Sequence, residues 1–129
     1  MTGVVLDASA LLAMLHDEPG GAKVAGAIDR ARISTVNFAE VVSHFVHVGM
    51  PLEAVDAMLA PLPLALIDAD KPPARAAGGL RKATASAGLS LGDRFCLALA
   101  VRERLPAWTP DRQWRAISGR VDVEIVIIR

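Results

Sequence analysis

Hydrophobic positions in this chain fall into short runs, and most runs give way to a helical pattern. Gly3-Val4-Val5-Leu6-Asp7 predicts a short buried strand with Asp7 at its carboxyl end, and Ala8 to Leu15 is apolar and helical. His16-Asp17-Glu18-Pro19-Gly20-Gly21 breaks that helix with turn residues. Ala22 to Ala31 predicts a second helix, and Ile33-Ser34-Thr35-Val36 a second strand. From Asn37 to Val48 the pattern is amphipathic: Phe38, Val41, Val42, Phe45 and Val46 follow the helical period, and Asn37, Glu40, His44 and His47 form the opposite stripe. Gly49 closes this helix, and Pro51 opens the next, which runs to about Leu59.

Pro63 to Ile67 predicts a third strand. Asp70, before Pro72-Pro73, starts a helix that runs to about Ala87, with Gly78-Gly79 as its weak point and Gly88 as its stop. Ser90 caps a strong helix from Leu91 to about Arg104. Ala107-Trp108-Thr109 is a brief strand leading to Asp111, and Asp122 to Ile128 alternates as a last strand. Strands alternating with helices predict a mostly parallel sheet covered on both faces, a three-layer α/β/α sandwich. With 129 residues and no repeat or linker, residues 1–129 are expected to form one domain.

Composition narrows the function classes. An apolar fraction of 53% argues against disorder, and no apolar stretch reaches the roughly 18 residues of a membrane span. The N-terminus meets an acid at Asp7 without a basic leader, so it does not read as a signal peptide, and a cytoplasmic setting is expected. The single cysteine, Cys96, excludes an internal disulfide and a multi-thiolate metal site; inside Phe95-Cys96-Leu97-Ala98-Leu99 it reads as a core residue, not a nucleophile. Net charge is zero, which gives no global nucleic-acid signature, but its distribution is uneven. Residues 1–70 hold 3 Lys/Arg against 9 Asp/Glu, and residues 71–129 hold 11 against 5, which permits a basic phosphate-binding rim.

Four acids stand out because of where they lie. Asp7, Glu40, Asp93 and Asp111 sit where an apolar run yields to a helix signal, and strand ends of an open α/β sheet face one crevice. Gathered there, they would repel: one like-charge pair at ~4 Å and an effective dielectric of ~20 costs about 4 kcal/mol. A divalent cation would make such a pocket tolerable, which points to a hard-metal site for phosphate chemistry. Each acid also has a structural reading. Asp7 is placed to cap the next helix, Asn37/Glu40 and Ser90/Asp93 have capping-box spacing, and Asp111 is placed to cap a turn toward Trp114.

Taken in order, Val5-Leu6-Asp7-Ala8-Ser9, Asn37-Phe38-Ala39-Glu40, Leu91-Gly92-Asp93-Arg94 and Trp108-Thr109-Pro110-Asp111 resemble the four acidic motifs of PIN-domain ribonucleases, and most of all those of VapC toxins from type II toxin–antitoxin modules. The resemblance implies a PIN fold and an endoribonuclease using Mg²⁺ or Mn²⁺. Asp7 and Asp93 would then be the main metal ligands, Glu40 would help to orient the attacking water, and Asp111 would be the fourth, most variable acid. Ser9 and Thr109 match polar positions that support the acids by hydrogen bonds. The resemblance further implies an RNA substrate (a tRNA or ribosomal RNA), a cognate antitoxin and a homodimer. Apolar helices at Pro51–Leu59 and Ala10–Leu15 are the expected pairing surfaces.

Other residues carry less. His44 and His47 have i, i+3 spacing but lack a convincing third ligand, so a solvent- or dimer-facing stripe is the simpler reading. Arg94 reads equally as a phosphate contact or an ion-pair partner, Arg112 and Arg115 share that ambiguity, and Trp108 reads as core. Two competing functions are a receiver-type signalling domain, which also gathers acids around Mg²⁺, and a PIN-like module that binds without cutting. The first lacks an acid beside Asp7 and a strand-end lysine after Lys82; all four acids are present, which weighs against the second.

Overall fold

The computed structural model describes residues 2–129. Strand β1 (Val4–Leu6) leads into helix α1 (Ala8–Leu15), followed by α2 (Gly21–Ala25), β2 (Ala31–Ser34), α3 (Thr35–His47) and α4 (Leu52–Leu59). The second half runs β3 (Ala65–Ile67), α5 (Lys71–Gly79), α6 (Arg81–Thr84), α7 (Leu91–Glu103), β4 (Ala107–Thr109) and β5 (Ile125–Ile127), with a 3-10 segment at Arg112–Ile117 between the last two strands. All four strand pairings are parallel, in the order β3-β2-β1-β4-β5.

Alternation along the strands builds two cores. Val4 and Leu6 of β1 and Trp108 of β4 pack into one cluster with α1, α3 and α4, through Leu11, Val41, Phe45 and Val55. Val5 and Ala107 point the other way, into a cluster with Cys96, Leu97 and Ala100 of α7 and with Trp114 and Ile117. The expected three-layer α/β/α sandwich is therefore the observed architecture. Its sheet reverses direction between β1 and β4: the chain adds β2 and β3 on one side of β1, then crosses to the other side. Such a switch point opens a crevice at the carboxyl ends of the two strands.

Several boundaries differ from the sequence pattern. The second helix stops at Ala25, because Gly26 follows and Ala31 is drawn into register with Val4; a 3-10 turn at Ile28–Arg30 bridges the gap. Strand β2 ends at Ser34, two residues early, since the Ser34 hydroxyl accepts the Val36 N–H and starts α3 there. On α3 the stripes are also redistributed: Asn37 is buried and Val46 is 47% exposed. The helix after Asp70 breaks near the Gly78-Gly79 weak point, and the last strand is confined to Ile125–Ile127. On α1, Ala10, Leu11 and Ala13 are buried in the protein's own core, and Leu12, Met14 and Leu15 are half-buried against it.

Gly20 and Gly21 do more than break a helix. A Cβ on Gly21 would collide with the Ala13 carbonyl, so glycine lets α2 pack directly on the α1 backbone. Gly21→Ala is expected to destabilise the protein by about 1–3 kcal/mol through overpacking against rigid backbone. Urea unfolding followed by circular dichroism would measure it, and wild-type stability in the variant would contradict this packing.

Candidate active site

Asp7 lies at the switch point. It follows β1 directly and N-caps α1, its Oδ1 accepting the Ala10 N–H at 2.7 Å. Across the crevice, the Thr109 hydroxyl at the end of β4 donates to Oδ2 at 2.5 Å. The same hydroxyl accepts the Asp111 N–H at 3.1 Å, so one threonine ties β1 to the loop after β4. Asp7 is 3% exposed. Burial above all pushes its carboxyl up from 3.8 to about 7; the bonds from Thr109 and Ala10 oppose this, and the charges of Asp93 and Glu40 add to it.

Those two acids arrive from opposite layers. Asp93 sits in the first turn of α7, where it and Ser90 form the capping box that the spacing predicts: the Ser90 N–H donates to Asp93 Oδ2 at 2.9 Å and the Asp93 N–H to Ser90 Oγ at 3.2 Å. Glu40 is not a capping residue, because α3 starts at Thr35 and not at Asn37. It is held from within the helix. The Asn37 amide donates to Glu40 Oε1 at 2.8 Å and to the Gly92 carbonyl of α7 at 2.9 Å, which locks α3 to α7 beside the acids. Gly92 makes that approach sterically possible, since a Cβ there would lie 2.5 to 2.7 Å from the Glu40 carboxylate. Sequence reasoning placed Asn37 on the polar stripe and gave Gly92 no part. The i, i+3 pairing of an amide with an acid was the available signal for Asn37.

The charges of Glu40 and Asp93 thus reach Asp7, and all three acids also raise the thiol of buried Cys96, although burial is the larger cause there. The thiol stays protonated and serves as core. Asp111 stands apart. It is exposed, its Oδ1 caps the 3-10 segment through the Gln113 N–H at 2.9 Å, and its charge is not among those acting on Asp7. Among the described residues no three potential ligands are already close enough to form a metal cluster. What converges is charge: hard oxygen donors of the kind Mg²⁺ takes, with both oxygens of Asp7 and one oxygen each of Glu40 and Asp93 fixed by hydrogen bonds.

Other candidates resolve differently. Ser9 is exposed and makes no hydrogen bond to an acid among the described residues; it lines a cleft beside Pro110 and Arg129. Arg94 neither faces the crevice nor pairs with an acid. It is buried and donates to the Ala77 carbonyl of α5 at 3.3 Å. Trp108 is core, as expected, with Lys23 Nζ 5.0 Å from its ring centre, and Trp114 is fully buried. A hollow lined by Arg104, Pro106, Asp122 and Glu124 lies at the amino ends of β4 and β5, away from the acids.

The family model for the PIN domain matches residues 4–120. The chain belongs to the PIN-domain family. Solved structures agree on the PIN fold. A toxin–antitoxin complex from Klebsiella pneumoniae matches with a TM-score of 0.72 at 19% identity, covering 96% of each chain. DNA-bound VapBC from Salmonella typhimurium matches with a TM-score of 0.72 at 19% identity over 98% of each chain. VapBC-5 from Mycobacterium tuberculosis matches at 0.67 with 25% identity, again over 98% of each. No curated protein matches the sequence. The PIN sheet order β3-β2-β1-β4-β5 also disposes of the receiver-domain alternative, whose strands run 2-1-3-4-5.

The elevated Asp7 carboxyl makes stability depend on pH. Its folded value, about 7, exceeds the ordinary 3.8, so the folded state holds the proton more tightly than the unfolded chain. The resulting stabilisation is full below about pH 4 and is lost as pH rises through 7. Asp7→Asn removes that loss. With chelator present, the variant is expected to be more stable than wild type at pH 8, by up to about 4 kcal/mol, and to lose this advantage near pH 4. Equal pH slopes in urea titrations of the two proteins would contradict the burial argument.

Proposed function

We propose that this protein, as one PIN domain over residues 1–129, is a VapC-like toxin: a cytoplasmic, metal-dependent endoribonuclease restrained by a cognate antitoxin. The observation that carries the reading is the buried Asp7 carboxyl facing the charges of Asp93 and Glu40 at the switch point of a PIN sheet. Family membership supports nuclease chemistry. Toxin–antitoxin complexes among the solved structures of the same fold support the toxin role.

Asp7 and Asp93 would hold Mg²⁺ or Mn²⁺, with Glu40 completing the pocket. A bound dication supplies a neutralising charge, a more acidic water and stabilisation of the phosphate oxygens in the transition state. The chain's own groups do the positioning. Thr109 and the Ala10 N–H fix both oxygens of Asp7, and Asn37 holds one oxygen of Glu40 so that the other is left to accept the proton of the attacking water. The water oxygen bonds to phosphorus, the bond to the leaving sugar oxygen breaks, and that oxygen takes a proton from solvent. Asp111, linked to the site through Thr109, is a supporting acid at the rim.

Two assembly proposals accompany this reading. The antitoxin would set a basic side chain against Asp7, Glu40 and Asp93, because an arginine fork satisfies two carboxylate oxygens and fills the space that a cation needs. A homodimer is supported by apolar residues grouped where α3 passes into α4: Val46 at 47%, Val48 at 60% and Leu52 at 54% exposure. Light scattering at micromolar concentration tests the dimer, and a monomeric mass removes it.

Purified protein is expected to cleave tRNA or ribosomal RNA with Mg²⁺ and to stop when chelator is added. Asp7→Asn and Asp93→Asn should reduce cleavage to background while remaining folded, and Asp111→Asn should keep part of the activity. Absence of cleavage by folded wild type with Mg²⁺ and Mn²⁺ across both RNA classes would favour the non-cutting PIN module. Asn37→Ala, which releases Glu40, should lower kcat by about 10–100-fold with little change in KM. A KM effect alone would assign Asn37 to substrate binding instead.

A further inference from the structure

His16 closes α1 and His44 lies in the second half of α3. Nothing in their sequence separation links them, yet in the folded chain their Nε2 atoms are 2.9 Å apart. The two rings meet edge to face with centres 5.1 Å apart, and each also packs against Phe45, which is buried. Together they line a cleft of about 380 Å³ with Ser9, Glu18 and Arg129, while His44 also lines the neighbouring cleft that holds Glu40 and His47. The proposed RNA chemistry makes no use of this pair. Two imidazole nitrogens at this separation have two stable arrangements: one neutral ring donates to the other, or both lone pairs bind one cation.

We propose that His16 and His44 form a two-imidazole site for a transition-metal dication, separate from the carboxylate pocket and selective for a different class of ion. The separation argues for the ion. With metal–nitrogen bonds of about 2.0–2.1 Å, nitrogens 2.9 Å apart subtend roughly 90°. That is the cis angle of tetragonal Cu²⁺ or Ni²⁺, whereas tetrahedral Zn²⁺ would need the rings to part to about 3.3 Å. Cu²⁺ and then Ni²⁺ are therefore preferred. Mg²⁺ favours the oxygen donors of the acids and is not a competitor here.

Binding exchanges the hydrogen bond for the metal: the donating ring loses its Nε2 proton to solvent and takes one up at Nδ1, so both rings stay neutral, no net proton is released, and both Nε2 lone pairs face the cation. Water fills the remaining positions, with the Glu18 carboxylate in the same cleft adding negative charge. The site would clasp α1 to α3. Asp7 caps the first of these helices and Glu40 lies one turn before His44 on the second, so the clasp joins two elements that carry the acids.

The test uses the full chain without a histidine tag. Ni²⁺ is titrated by calorimetry and by thermal melting into wild type, His16→Gln, His44→Gln, His47→Gln and Asp93→Asn. One equivalent is expected to bind wild type and to raise its Tm. Binding should be lost in His16→Gln and His44→Gln but kept in His47→Gln and Asp93→Asn. With Cu²⁺, the electron paramagnetic resonance spectrum should show coupling to two nitrogens. Melting without metal reports whether each variant is folded, independently of RNA cleavage. Ni²⁺ binding that survives His16→Gln but disappears in Asp93→Asn places the ion among the acids and overturns the proposal. Loss confined to His44→Gln and His47→Gln assigns it to the i, i+3 pair and also overturns it, as does wild type that binds no Ni²⁺.

Discussion

The structure depends on one contact, the hydrogen bond that Thr109 donates to the buried Asp7 carboxyl across the switch point of the sheet. It joins the ends of β1 and β4, strands brought side by side only because the chain reverses its direction of winding between them. Asp7 carries three demands at this point. It caps α1, it anchors the loop leading to Asp111 through Thr109, and it puts a carboxyl where water is excluded. The first two demands stabilise the fold. The third holds a proton on the carboxyl up to about pH 7, because burial penalises the charged form.

Around this contact, structure and proposed chemistry use the same hydrogen bonds. Helix starts need acceptors for their free N–H groups, and Asp7, Asp93 and Asp111 supply them. Each cap fixes a carboxylate in orientation and, for Asp93 and Asp111, engages only one of its oxygens. The capping reading and the metal reading of these acids are therefore not rivals. Glu40 reaches its place by another route: it projects from the second turn of α3, is held by Asn37, and lies so close to Gly92 that a side chain there would force its carboxylate to shift. Of the four acids it is the one that caps no helix.

Electrostatics separates the four further. Glu40 and Asp93 act on Asp7, and all three act on Cys96, whereas Asp111 keeps to the solvent edge. The graded roles proposed for them follow from this arrangement. Arg94 shows how a neighbour in sequence can be irrelevant to a site. One residue from Asp93 along a helix points in another direction, and the Arg94 guanidinium is spent against α5.

Much was legible before any fold was known. Short apolar runs alternating with amphipathic segments specified the parallel three-layer architecture, because strand and helix periods differ and each must bury its apolar face. The capping box at Ser90 and Asp93 was readable for the same local reason, and the four ordered acidic motifs pointed to the PIN family. Boundaries moved where a local competitor prevailed: Ser34 capped α3 before the strand-like run Ile33 to Val36 was finished, and Gly26 ended α2 early. Tertiary structure alone decided which groups meet. The Thr109–Asp7 bond spans 102 residues, the Asn37–Gly92 bond 55 and the His16–His44 pair 28. Periodicity says which face a side chain takes on its own element, but partners across elements are set by strand order and helix packing, which no local pattern encodes.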